Sequence, residues 1–336
     1  DLRALASTPA FDPNEFTRGM SRENWQALLS DPRKPLLNKC ISGQFPPGST
    51  VKMMVALAAL EKGIVKSTTE FSCRGHHTLG RQRFHCWKKG GHGRLDLIGA
   101  IRQSCDVYFY KIAEQIDVDD IASMANRLGL GLTHDISLDG QRSGLVPTKE
   151  WKRVYRNEAW QGGDTLNVAI GQGATLATPL QLAVMCARIA TGRAVTPRLV
   201  LPEQGGPLSA AAPQARAQFF ETLDVNPLHL DVVRTGMAQV VLPGGTAILR
   251  GRKRGDITQA GKTGTAQVRR ISKDERVTGV IDNEELPWQS RDHALYVGFA
   301  PVEAPRYAVS ILVQHGGSGS RAAAPLGQKI LDEAVR

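Results

Sequence analysis

The chain has 336 residues, 41% of them apolar, and a formal net charge of +10. That is enough apolar material for a sizeable core, and the lack of any apolar run of about 18 residues excludes a membrane-spanning helix on sequence grounds. The positive charge alone would suit a nucleic acid. No RRM, KH or zinc-finger pattern accompanies it, however, and an anionic polymer or surface fits equally well.

In chain order, RALAS at 3–7 reads as a short buried strand, followed by a loop rich in Pro, Asn and Asp. The abrupt opening, with no signal peptide, suggests a fragment of a longer protein. PPGSTVKMMVALAALEKG at 46–63 predicts a helix over 49–62, entered from a Pro-Pro-Gly turn and stopped at Gly63. Its apolar residues run almost all the way round, so it is expected to be buried. Residues 64–94 are polar, basic, rich in Gly, His and Cys, and read as a loop. Helical pieces are expected at 95–103 and 107–116, either side of Ser104-Cys105-Asp106, and another at 119–128 ending at Gly129. Thr178-Pro179 is an N-cap followed by a first-turn proline, opening a helix to about Ile189. Residues 203–217 read as a surface loop and 230–241 as a helix. ITQAGKTG, TAQVRRI, HALYVGFA and RYAVSILVQ then suggest an antiparallel sheet, and AAPLGQKILDEAV a closing helix. The implied class is α/β (α+β), an antiparallel sheet flanked by helices with a further helical part.

Three short motifs carry chemistry. Ser49 and Lys52, three apart at a helix start, share a face. A lysine in dry surroundings loses its proton more readily and can serve as the base for a serine. The helix N-terminus disfavours a second positive charge and offers N–H groups to an oxyanion. Taken singly, Ser-x-x-Lys is also ordinary helix dressing. Ser104-Cys105-Asp106 is by itself a helix cap, and Lys262-Thr263-Gly264-Thr265, between two expected strands, is by itself a turn. Read as chemistry, Lys262 supplies a charge for a carboxylate, Gly264 lets a substrate backbone lie close, and Thr265 supplies a second oxyanion N–H.

Cys73, Cys86, His92 and Cys105 fall within 33 residues. Cys3His is a normal structural zinc set, but intervals of twelve, five and twelve residues are not a finger pattern. Free buried thiols beside solvated histidines are the alternative. The odd count of five cysteines excludes a fully paired intrachain disulfide set, and Cys40 and Cys186 read as small buried residues. His134, His229, His293 and His315 show no partner pattern and default to structural or exposed positions.

Ser-x-x-Lys, Ser-x-Asp and Lys-Thr-Gly, in that order on helix, loop and strand, resemble the signature of penicillin-binding proteins and serine β-lactamases. GDTLNVAIGQGATLATPLQLA, AGKTGTAQV and DHALYVGFAPVEAPRYAVSILVQHGG extend the resemblance over essentially the whole chain, towards the transpeptidase domain of class B penicillin-binding proteins and their penicillin-binding protein 2 branch. The resemblance implies one transpeptidase domain over 1–336, with the penicillin-binding fold and an all-helical subdomain. It implies a peptidoglycan D,D-transpeptidase inhibited covalently by β-lactams. Ser49 would be the nucleophile, Lys52 its base, Ser104 a proton relay, and Asp106 a group orienting Lys52 or holding the peptide amide. Lys262 and Thr263 would hold the terminal carboxylate, with Gly264 and Thr265 beside them. Some members of that branch resemble this chain in holding zinc beside the active site, which implies Cys73, Cys86, His92 and Cys105 as ligands, with His76, His77 and His85 as substitutes; no organic cofactor is implied. The implied partners are stem peptides, β-lactams, a membrane glycan polymerase and elongation-complex proteins, with no nucleic acid. The full protein would carry an anchor and a pedestal domain, sit in the bacterial inner membrane, and hold this domain in the periplasm. Rival readings are a serine β-lactamase or D,D-carboxypeptidase, for which no water-activating glutamate is identified although Glu158 sits in a suggestive mid-chain loop, and a β-lactam sensor that acylates without crosslinking. The 271–292 segment, with Trp288, is suited to a groove wall.

Overall fold

Every residue from Lys52 to Leu60 is buried, so the greasy run after the Ser-x-x-Lys motif forms the middle of the molecule. In the computed structural model, which describes residues 1–199, 220–249, 258–269, 271, 275 and 279–336, a 3-10 turn over Gly48–Val51 leads directly into the helix Lys52–Glu61. Ahead of it stand α1 (Asn14–Arg18), α2 (Arg22–Ser30) and α3 (Lys39–Ser42), making the central helix α4. Four short strands follow, β1 (Phe71–Cys73), β2 (His76–Leu79), β3 (Gln82–His85) and β4 (Gly93–Leu95). Then come α5 (Leu97–Arg102), α6 (Asp106–Ala113), α7 (Val118–Arg127), α8 (Lys149–Arg156), α9 (Gly162–Ala169), α10 (Pro179–Thr191) and α11 (Pro227–Val240). Strands β5 (Ala260–Ala266), β6 (His293–Ala300) and β7 (Tyr307–Val313) and the final helix α12 (Ala324–Val335) complete the chain.

The main sheet is antiparallel in the order β5-β6-β7, with Lys262 opposite Val297 and Ala294 opposite Val313. Strand β6 is buried at every position, as a central strand covered on both faces must be. Helices α10 and α12 pack on β6 and β7, while α11 packs on β5, α4 and α5. β5 is an edge strand among the described residues, and its outer edge faces the turn that carries Ser49.

Helix α10 begins as read. Thr178 caps it, its hydroxyl accepting from the Gln181 N–H while the Gln181 side chain accepts from the Thr178 N–H, and Gly192 ends it in the left-handed region. Three expectations are corrected. RALAS forms no strand among the described residues: the Leu2 N–H before it donates to the Arg198 carbonyl, and Leu2 and Leu5 lean on a small cluster of Ile41, Ile136, Leu180 and Val184. Residues 64–94 are not a plain loop, because β1 pairs with β4 and β2 with β3. ITQAGKTG and TAQVRRI are not two strands. Lys262-Thr263-Gly264-Thr265 lies inside the single strand β5, which stops at Ala266. The loop read at 203–217 lies outside the described residues, as does part of 271–292, where the described portion includes the short turns Asn283–Glu285 and Trp288–Ser290.

Candidate active site

Ser49 is half-buried at the surface end of the 3-10 turn, and Lys52, one turn on, is fully buried. The turn is pinned from two sides. The Gly48 N–H donates to the Gly171 carbonyl at 2.9 Å, and a Cβ on Gly171 would lie 2.1 Å from the Gly48 oxygen, so that contact requires glycine. From the other side, a Cβ on Gly264 would meet Thr50 Cγ2 at 2.8 Å and the Pro47 carbonyl at 3.1 Å. The missing side chain on β5 therefore makes room for the protein's own serine turn.

Lys52 spends its three N–H donors on the Ser-x-Asp segment. Nζ donates to Asp106 Oδ1 at 2.7 Å, to the Ser104 carbonyl at 2.9 Å and to Ser104 Oγ at 3.4 Å. Ser104 has a left-handed backbone, φ 54°, unusual for a residue with a side chain. It presents both its carbonyl and its hydroxyl to lysine amines, because Lys262 Nζ reaches the same Oγ at 2.7 Å. Lys262 is fully buried; burial, and then the nearby charge of Lys52, hold its pKa well below that of a free lysine, with Asp106 pulling the other way. The Ser104 hydroxyl thus bridges two amines and forms a path along which a proton can pass.

Asp106 opens α6 but does not cap it. Oδ1 pairs with Lys52 and Oδ2 accepts the Trp87 main-chain N–H at 2.9 Å. Thr263 is buried, its hydroxyl shared with Thr246 at 2.7 Å. Thr265 is exposed; its carbonyl faces Gln172 Nε2 at 3.5 Å, and its Oγ1 accepts from the Gly319 N–H at 3.4 Å. Lys52, Ser104, Asp106 and Lys262 therefore converge, with Ser49 on the turn just before Lys52, whereas Thr263 has its hydroxyl engaged elsewhere. Glu158 is 64% exposed at its side chain and paired with Lys152 at 3.3 Å.

The four Cys and His residues also converge. Cys73 ends β1, Cys86 follows β3, His92 precedes β4 and Cys105 is the residue before α6. Their ligand atoms all lie within 4.8 Å of one another. His92 Nδ1 is 3.6 Å from Cys73 Sγ and 3.5 Å from Cys86 Sγ. Metal–sulfur and metal–nitrogen bonds of about 2.3 and 2.0 Å at a tetrahedral angle would separate those atoms by about 3.5 Å, so the set fits one tetrahedral cation. The Cys105 hydrogen bond holds the Cys86 thiol well below a free thiol, and the same contact, with burial, pushes Cys105 up. Three thiolates cannot stand side by side without a compensating cation. All five cysteines are free; Cys40 is only half-buried, its Sγ 3.0 Å from the Ala6 carbonyl, while Cys186 is buried as read. The substitutes His76, His77 and His85 lie on the β2–β3 ladder, with His77 3.1 Å from Glu114.

Some residues of the site were not singled out in the sequence. Trp87, next to Cys86, brings its two N–H groups to the Ser-x-Asp segment. Thr246 and Gln172 meet β5 from distant segments, and only the glycines flanking Gln172 hinted at a close approach. The histidines without a partner pattern in the sequence take structural contacts: His134 with the Gly129 carbonyl, His229 with Glu61, and His293 with the His315 N–H.

Residues 1–332 match the family described as penicillin binding protein transpeptidase domain. The chain is 35% identical over 333 residues to the peptidoglycan D,D-transpeptidase MrdA of Salmonella typhimurium, covering 98% of this chain and 52% of that protein. Among solved structures it is similar to the complex between penicillin-binding protein (PBP2) and MreC from Helicobacter pylori, with a TM-score of 0.83, 34% identity, and coverage of 98% of this chain and 56% of that one. It is similar also to Pseudomonas aeruginosa PBP2 in complex with WCK 5153, with a TM-score of 0.82, 35% identity, and coverage of 98% and 70%. The chain spans about half the length of the curated relatives it matches.

Proposed function

The chain belongs to the penicillin-binding protein transpeptidase family, and on that premise we propose that it is the catalytic domain of an elongation-type peptidoglycan D,D-transpeptidase. Ser49 Oγ attacks the carbonyl of the penultimate D-Ala of a stem peptide and passes its proton to Lys52, which must first be free of one of its own. The N–H groups of Ser49 and Thr265 take the oxyanion. The C–N bond to the terminal D-Ala breaks, and its amine receives a proton relayed through Ser104. The amine of a second stem peptide, a diaminopimelate, then attacks the ester, forms a 3–4 crosslink and frees Ser49. The terminal carboxylate lies along β5, where Lys262 supplies charge and Thr263 and Thr265 supply hydroxyls; Thr246 fixes the direction of the Thr263 hydroxyl. Asp106 holds Lys52 in place.

The observation that carries this reading is the meeting of Lys52, Lys262 and Asp106 around Ser104, beside the turn of Ser49. Its test is intact-protein mass spectrometry after benzylpenicillin. The wild type should gain one adduct, on Ser49, and Ser49→Ala none while keeping its circular dichroism. A wild type with no adduct would sink the mechanism. Loss of the adduct within minutes would favour a β-lactamase or carboxypeptidase, and a stable adduct without crosslinking of paired stem peptides would favour a sensor. The pairing of Glu158 with Lys152 speaks against a glutamate poised to activate water.

Cys73, Cys86, His92 and Cys105 would hold zinc as a closed structural site. Three thiolates and a neutral imidazole give such a centre a charge of about −1 and leave no position for water. When bound, the metal supplies a crosslink between the hairpins and the segment of Ser104 and Asp106. No organic cofactor enters the reaction. Among the described residues no helix is long and apolar enough to cross a membrane. We place the domain in the periplasm, on an inner-membrane protein with an anchor and a pedestal. There it would work beside a glycan polymerase and elongation proteins of the kind represented by MreC, which is bound to the Helicobacter pylori relative.

A further inference from the structure

Trp87 carries an arrangement that the acyl-serine chemistry does not by itself require. It is 59% exposed, so its ring is not held there by the core. Both of its N–H groups nevertheless point inward. The main-chain N–H donates to Asp106 Oδ2 at 2.9 Å, and the indole Nε1–H donates to the Ser104 carbonyl at 3.0 Å, with the Gln103 carbonyl at 3.2 Å. Lys52 uses the same two groups, at Asp106 Oδ1 and the Ser104 carbonyl. The two principal acceptors that position the lysine are thus each held from a second direction by one residue. The ring rests edge-on against His92, centroids 5.3 Å apart, which ties it to the cysteine loop.

We infer that Trp87 is a positioning residue for Lys52. A carboxylate bound through one oxygen can swing about its broad last torsion, and a second donor on the other oxygen stops it. A carbonyl with both lone pairs engaged is likewise held, here on the left-handed residue that closes α5, where the Ser104 and Cys105 N–H groups donate to the Ile101 and Ala100 carbonyls. Trp87 acts through these acceptors, so it governs where the amine sits relative to Ser49 and leaves ligand binding unchanged.

The inference rests on the acyl-serine reading, and the test separates the two. Two variants of the full chain are compared with wild type: Trp87→Phe, and Trp87 replaced by benzothienylalanine, which keeps the ring shape and exchanges the N–H for sulfur. Rapid-quench acylation by benzylpenicillin resolves the dissociation constant of the initial complex from the first-order acylation step. The acylation step should slow roughly five- to tenfold, the scale of one hydrogen bond, with the dissociation constant, melting temperature and bound metal unchanged. Acylation within twofold of wild type in the benzothienylalanine protein overturns the inference alone. So does a loss that lies wholly in the dissociation constant, which would make Trp87 a wall of the binding groove. A wild type that takes no label overturns the acyl-serine reading and this inference with it.

Discussion

Helix α4 and the hairpins at 71–95 reach the Ser104–Asp106 segment from different parts of the fold, and different forces hold them. α4 is buried at nine consecutive positions, and each large apolar side chain among them contributes about 1.5–3 kcal/mol. The hairpins are ladders of three or four residues in which only Cys73 and Phe84 are buried. Isolated two-stranded ladders are marginal in water, and these lean on α6, Phe71 against Tyr108 and Phe84 against Tyr110, as well as on the Cys and His cluster and the contacts of Trp87. The nucleophile side is therefore mechanically secure and chemically sensitive. The hairpin side buries far less apolar surface and meets the segment of Ser104 and Asp106 through Trp87 and the Cys and His cluster.

The largest effect should come from α4. Lys52→Met keeps the length and packing of the side chain but removes the proposed base, and acylation by penicillin should fall about 10²–10⁴-fold, read by the rate of adduct formation. A loss below tenfold would remove Lys52 from that role. Next is the hairpin side. Cys86→Ser, or a chelator, should release the proposed zinc and raise amide hydrogen exchange across 71–95, with acylation falling about 10–100-fold and α4 still protected. Equal loss of protection in α4 would break the distinction between the two regions. The smallest effect concerns the sheet. His293, at the start of β6, faces His315 and Phe45. Burial, and then His315, push its pKa from 6.5 down to about 4. The unfolded chain then binds more protons between those values, so stability is full above about pH 6.5 and is lost as pH falls towards 4. His293→Gln should flatten the melting temperature over that window, while a slope equal to wild type would assign the acid loss to other groups.

Helix α10 shows how much of the fold was legible. Its cap, first-turn proline and terminal glycine act within a few residues, so the sequence carries them directly. The two short ladders at 71–95 were not legible, since three-residue strands have too little alternation to be told from loop and are kept only by what they are pinned to. The proposed catalytic residues were identifiable because their types and order resemble a known signature, and the proposed ligands because the resemblance pointed to them. Their contacts were not, and nor was the use of Gly264, which depends on the proximity of Thr50 and Pro47.

By itself, then, the sequence determined the elements whose signals are local, the buried α4, and the identity of the residues able to do acyl-serine chemistry. Tertiary structure alone decided how they meet. Lys52 and Asp106 are 54 positions apart, Lys262 and Ser104 are 158 apart, and nothing in a few residues of spacing encodes such a pairing. Helix caps are set by bonds to near neighbours along the chain, whereas the ammonium, carboxylate and hydroxyl of this site find one another only when the sheet edge, α4 and the start of α6 are packed together.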